Sequence, residues 1–175
     1  MSKETLSAKK SEQYLSFLLG NEVYGLNILR IQEIRGWEKT TRLPGVPDYV
    51  KGVINIRGSV VPVIDLRQRF NIGEPTYDES TVVIITRFGA IKSKQNPKIV
   101  GLVVDGVSDV EDVEMENLQF APSFNQGARV SDEFIRGLAS LQNRMMIVLN
   151  VEKLLEQGVF EVVKKEGQGG EKCLH

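Results

Sequence analysis

Few residues in this chain could make or break bonds, and they are badly placed for it. His175 is the only histidine and Cys173 the only cysteine, and both lie in a charged, glycine-rich tail (residues 164–175, KKEGQGGEKCLH). A Ser–His pair, a histidine-bearing metal site and a thiol nucleophile all need a rigid pocket around the reactive atom. No catalytic residue, no metal and no cofactor is therefore expected. Gly167, Gly169 and Gly170 follow no strand and open no helix, so they form no phosphate cradle. Carboxylates do gather at Asp105, Asp109, Glu111, Asp112, Glu114 and Glu116. They lack the alternating ligands and distal glutamate of a calcium loop, so a solvated face or loop is the expectation. What remains is recognition chemistry. Arg57 falls in a predicted hairpin turn, where a planar five-donor guanidinium can clamp a carboxylate or backbone carbonyls. Ile28, Ile31 and Ile34 are spaced by three, with Glu33 and Arg35 beside them. Such a strip is either a helical turn facing the core or an apolar surface, rimmed by charge, that a partner helix recognises.

The elements that must hold these residues read as short strands at 13–19, 22–28, 51–57, 60–66, 81–87, 98–105, 137–142 and 145–150. Gly20-Asn21 and Arg57-Gly58-Ser59 are hairpin signals, since glycine reaches positive φ at little steric cost. Asp105-Gly106 is either another turn or the end of a strand. Val82-Val83-Ile84-Ile85 and Val60-Val61-Pro62-Val63-Ile64 are continuous branched runs, as expected of strands buried on both faces. Pro62 cannot donate to a ladder and predicts an edge position or a bulge. Short helices are expected over Leu66–Phe70 and over Val151–Gln157, the second ended by Gly158. Lys92–Lys98 (KSKQNPK) reads as an exposed polar hairpin tip.

These elements occur twice in one order. At a separation of 85, Gly52 falls on Gly137, Ile56 on Leu141, Val63 on Val148, Asp65 on Asn150 and Leu66 on Val151. Val23-Tyr24-Gly25-Leu26 lies 76 residues before Ile99-Val100-Gly101-Leu102, and Pro44 lies 78 before Pro122. A repeated order of matched features points to internal duplication. Two small β units side by side leave a groove between them.

Composition narrows the function classes. With 175 residues, of which 41% are hydrophobic, the chain can bury one domain or two small units. Lys plus Arg number 22 against 23 Asp plus Glu, a net charge of −1. A small barrel binding single-stranded nucleic acid is the alternative from another class, but it wants a basic groove with exposed aromatics. At 7% aromatic and near neutrality the chain serves that reading poorly, so no nucleic-acid partner is expected. No apolar run approaches the roughly 18 residues that span a bilayer, and the N-terminus has no signal-peptide core. A soluble cytoplasmic protein without direct membrane insertion is expected.

Several runs carry a more specific pattern: Tyr14-Leu15-Ser16-Phe17 with Leu19-Gly20, Tyr24-Gly25 through Ile31-Gln32-Glu33-Ile34-Arg35-Gly36, and Gly52-Val53-Ile54-Asn55-Ile56-Arg57-Gly58 through Val61-Pro62-Val63-Ile64-Asp65-Leu66-Arg67. It continues through Val100-Gly101-Leu102-Val103-Val104-Asp105-Gly106-Val107 and Arg144-Met145-Met146-Ile147 to Leu154-Leu155. The Asn-Ile-Arg-Gly to Asp-Leu-Arg block is the most specific part. By these runs the chain resembles the CheW family of bacterial chemotaxis coupling proteins over about residues 12–158.

The resemblance implies an all-β fold of two small five-stranded, SH3/OB-like β-barrel subdomains from an internal duplication, with short helices. They would lie at approximately 12–76 and 80–158, with possible strand exchange, between a disordered tail at 1–11 and a mostly disordered one at 159–175. It implies a non-catalytic adaptor between the histidine kinase CheA and the cytoplasmic tip of methyl-accepting chemoreceptors. The receptor tip would bind between the barrels and the kinase regulatory domain at the barrel ends. Other copies of the same protein are further possible partners, and the cytoplasmic protein would be recruited to membrane-bound arrays. Carried over by position, receptor contacts fall at Leu15, Ile28, Ile31, Glu33, Arg57 and Val107, with Gly101 in the groove wall. The kinase-binding residues stay unassigned. The family pattern has a shorter hairpin where this chain has Phe88 to Lys98.

Overall fold

A computed structural model of the chain describes residues 10–89, 98–120 and 132–156. Among these residues ten strands occur in the order β1 (Ser11–Leu19), β2 (Glu22–Asn27), β3 (Ile31–Gly36), β4 (Val50–Ile56), β5 (Ser59–Asp65), β6 (Val82–Phe88), β7 (Lys98–Val104), β8 (Gly106–Glu114), β9 (Ile135–Ser140) and β10 (Met145–Leu149). A short helix follows the last strand of each repeat, α1 (Leu66–Arg69) after β5 and α2 (Val151–Leu155) after β10. Both helices are started by a side chain that spares an orphan N–H. Asp65 Oδ1 accepts from Arg67 N–H at 2.9 Å, and Asn150 Oδ1 accepts from Lys153 N–H at 3.2 Å.

The strands form two five-stranded sheets, ordered β8-β1-β2-β10-β9 and β3-β6-β7-β5-β4. Moving five strands along the chain turns one order into the other, which is the duplication seen as topology. Neither sheet comes from one repeat of five strands. The first takes residues 11–27 and 106–149, the second 31–104, so the pairs β1–β2 and β6–β7 are exchanged between the repeats and the position 76–80 falls between two strands of one sheet. Each sheet is then closed into a barrel. Thr41, beyond β3, exchanges two 2.9 Å backbone hydrogen bonds with Val53 of β4. Gln119, beyond β8, does the same with Leu138 of β9 at 2.9 and 2.7 Å.

The matched glycines now have a cause. A Cβ on Gly52 would lie 2.0 Å from the Thr41 carbonyl oxygen, and one on Gly137 would lie 2.8 Å from the Gln119 carbonyl oxygen. Each is bare because the closing segment crosses over it.

Alternation along the strands feeds three cores, since successive side chains point to opposite faces. Ile54, Ile56, Val61, Val63, Val83, Ile85 and Val103 fill the second barrel. Tyr14, Val23, Val113, Ala139, Met146 and Val148 fill the first. Residues of the other parity, among them Phe17, Leu26, Ile64, Ile84 and Leu102, join with Leu154 and Leu155 in a larger core between the barrels. The run 82–85 is thus buried on both faces, as its composition predicts, whereas Val60 is 68% exposed and the run 60–64 is buried on both faces only from Val63 onward.

Four expectations change. Residues 31–36 and 106–114 are strands, the first expected as a helical turn or docking strip and the second as a solvated face or loop. Pro62 lies in an interior strand rather than at an edge. It is tolerated there because the parallel ladder to β7 begins only at Val63. β1 also starts at Ser11, one residue before the expected boundary. The tip of the 88–98 hairpin, Gly158 and the tail at 159–175 lie outside the described residues.

Candidate recognition surface

The three-residue spacing of the Ile strip comes from a β-bulge. Ile31 pairs with Thr86, Glu33 with Ile85 and Ile34 with Ile84, so the extra residue Gln32 puts Ile31 and Ile34 on one side of β3. That side belongs to Ile84 and the central core. Ile28 and Ile31 pack against this core while partly open, and Ile34 is 45% exposed. The equivalent strand of the other repeat, β8, repeats the device. Leu15 pairs with Val110 but Phe17 with Val107, so the bulge puts Val107 and Val110 together on the core-facing side of β8. Val107 is 36% and Val110 54% exposed. Each of these equivalent edge strands therefore shows a pair of branched apolar residues beside the seam between the barrels.

Charge around the two strips differs. Glu33 Oε2 accepts from Arg57 Nη2 at 3.0 Å, and Glu33 Oε1 faces Arg35 Nη1 at 3.3 Å. On β8 the flanking residues are Asp109 and Glu111, and neither joins an ion pair among the described residues. The carboxylates from Asp109 to Glu116 thus line a solvated strand edge and its sequel. No group of three or more metal-ligating side chains occurs among the described residues.

Arg57 is held at φ +50°, next to Gly58 at φ +87°, in a two-residue turn closed by the Ile56–Ser59 pair. Two successive positive φ values make this the hairpin turn that suits Asn-Gly or Gly-Gly. Asn55 Oδ1 supports it by accepting from Gly58 N–H at 2.9 Å. The guanidinium stands 75% exposed despite its bond to Glu33. Beside it a cleft of about 110 Å³ is lined by Gln32, Ile56, Arg57, Ser59, Val61 and Ile99.

The residues singled out from the sequence do not all share this surface. Glu33 and Arg57 touch, and Ile28 and Ile31 meet the same central core. Val107 is reached from the other sheet. Leu15 is buried within the central core, and Gly101 is buried in β7, where a Cβ would meet Val83 Cγ1 at 2.9 Å. Leu15 supports the surface from behind, whereas the open side of Gly101 faces the interior of the second barrel. Leu29, 71% exposed on the turn between β2 and β3, and Val110 were not singled out. Matching 31 and 34 to 107 and 110 at the separation of 76 already seen for Gly25 and Gly101 would have found Val110.

Comparison with known proteins agrees with this architecture. The family model described as CheW-like domain matches residues 13–159. Chemotaxis protein CheW of Klebsiella aerogenes is 46% identical over 152 residues, covering 87% of this chain and 86% of that protein. Chemotaxis protein CheW of Bacillus subtilis is 32% identical over 153 residues, covering 87% and 92%. Among solved structures, the scaffolding protein TtCheW from Thermoanaerobacter tengcongensis superposes with a TM-score of 0.71 at 28% identity, covering 85% of this chain and 96% of that one.

Proposed function

The chain belongs to the CheW-like domain family of chemotaxis scaffold proteins, and from that premise we propose that it couples chemoreceptors to the kinase CheA without catalysing a reaction. The observation that carries the reading is the pair of bulged edge strands with exposed branched residues beside the seam between the barrels. A receptor's helical tip offers ridges of apolar side chains, and a groove with apolar walls and charged rims suits them. In this reading Ile28, Ile31, Ile34 and Val107 contact the tip, Glu33 and Arg57 hold its polar groups, and Leu15 and Gly101 keep the wall in shape. The kinase regulatory domain takes the barrel ends, and further copies of the chain join at the same kind of surface in an array. The protein works in the cytoplasm and reaches the membrane only through its partners. No helix among the described residues is long and apolar enough to cross a bilayer.

Titration of a receptor-tip fragment and of the isolated CheA regulatory domain into the purified protein tests this. Both bind the wild type. Arg57→Ala weakens the receptor fragment by about 1.5–3 kcal/mol, as for a charge-assisted contact, and leaves the kinase domain unaffected. Equal affinity of Arg57→Ala and wild type for the receptor fragment would remove Arg57 from the site. Incubation with ATP, alone or with either partner, is expected to show no turnover by this chain, and intrinsic turnover would refute the adaptor reading.

A further inference from the structure

The chain passes between the barrels at two exchange points, and a charge sits at each. Between β7 and β8, Asp105 accepts from Arg67 Nη1 of α1 at 2.8 Å. Its other bonds go to the first barrel, where Oδ2 accepts from Gly20 N–H at 2.7 Å and its N–H donates to the Leu18 carbonyl at 3.0 Å. Between β2 and β3, Arg30 pairs with Glu152 of α2, and its Nη1 donates to the Gly89 carbonyl beyond β6 of the second barrel at 3.1 Å. Glu152 lies 85 residues after Arg67, the separation of the two repeats. The two joints are equivalent in the duplicated fold and opposite in sign.

We infer that these two ion pairs are latches that set the angle between the barrels and so shape the docking groove. Each ties the helix ending one barrel to the strand crossover that leaves that barrel, while the crossover residue is bonded to the other. The central apolar core already holds the barrels together, but apolar burial is non-directional and permits sliding. Charged hydrogen bonds have fixed geometry and do not. The latches are unequal. Arg67 is 3% exposed and Asp105 32%, against 19% for Arg30 and 47% for Glu152. The Arg67 side is also braced, since Asp65 takes two further bonds from its guanidinium and the Thr76 carbonyl a third. Arg30, Glu152, Arg67 and Asp105 are thus positioning residues that touch no receptor atom.

The inference rests on the groove reading for its functional part, and the test keeps the two apart. Nitroxides are placed on cysteines at Lys39 and Arg144, exposed sites of the second and first barrels, in a Cys173→Ser background. Pulsed dipolar spectroscopy of the protein alone is expected to give one narrow distance distribution for the wild type. Asp105→Asn and Arg30→Glu should broaden or shift it, and Arg30→Glu combined with Glu152→Arg should restore it. Receptor-tip affinity should fall about tenfold in each single variant and return in the swap, while kinase-domain affinity holds. Should Arg30→Glu fail to fold, Asp105→Asn, isosteric and part-exposed, carries the test. Distance distributions that superimpose on the wild type overturn the inference, as does an equal loss for both partners that the swap leaves in place. A wild type that ignores the receptor while its distances respond would sink the groove reading and leave the latches standing.

Discussion

Arg57 occupies a backbone position that its side chain does not favour. A non-glycine residue with positive φ costs on the order of 1 kcal/mol, and asparagine tolerates the conformation better than arginine. At φ +50° the turn would be served at least as well by an asparagine ahead of Gly58, which argues that the guanidinium is kept for what it touches. Arg57→Asn should therefore melt no lower than the wild type, and up to about 1 kcal/mol more stable, while binding the receptor tip more weakly. Calorimetry and titration on one preparation check both halves, and loss of stability without loss of affinity would reverse the argument. Two tyrosines set the alkaline limit. Burial, then a hydrogen bond to Glu12, raises Tyr14 above its ordinary value of 10.0, and burial, then a hydrogen bond to Asp65, does the same for Tyr77. The folded state then holds protons that the unfolded state gives up, so their contribution is full below pH 10 and declines above it. Lys51, lowered chiefly by burial, acts in the opposite sense just below its ordinary 10.5. Urea midpoints from about pH 8 to 11 should fall, and the double variant Tyr14→Phe, Tyr77→Phe should flatten that fall.

Single elements decide between groove and core. Ile34 is 45% exposed on β3, whereas Ile54 is 7% exposed inside the second barrel. Ile34→Asp should fold normally, bind the CheA regulatory domain and lose about 2 kcal/mol or more of receptor affinity, because its charge is desolvated only on docking. Ile54→Asp should not fold. Ile31, packed on the central core, is the less decisive position. Barrel closure has its own test in Gly52, at φ +128° under the Thr41 carbonyl. Gly52→Ala should cost about 3 kcal/mol or more, against less than about 0.5 for Gly36→Ala in open space, read as urea midpoints. Strands β3 and β8 were illegible as strands for one shared reason. A bulge in each breaks the alternation that marks a strand; in β3 it leaves a three-residue step that imitates a helix, and in β8 the carboxylates then read as a solvated face. The branched-residue signals of β5, β6 and β7 had no such interruption and could be read directly.

At the scale of the molecule, duplication was legible because the same packing demands recur at fixed separations, as at Gly25 and Gly101 or Gly52 and Gly137. The exchange of β1–β2 with β6–β7 was not, because pairing partners are chosen by long-range geometry that no local residue pattern records. The Asp-Leu-Arg block was visible as a specific run, but its tie to Asp105 spans 38 residues and only the fold brings the two together. That tie is expensive to break from one side, since Asp65 is fully buried against Arg67. Arg67→Met should cost about 3–5 kcal/mol by leaving Asp65 charged and unpaired, measurable as a loss in urea midpoint. Coupling of two partners by one chain is the property on which the functional reading turns. Receptor-bearing membranes are sedimented with CheA in the presence and absence of this protein. The account predicts that CheA enters the pellet in proportion to added protein, and that Ile34→Asp abolishes the effect. Equal CheA in the pellet with and without the protein would contradict it.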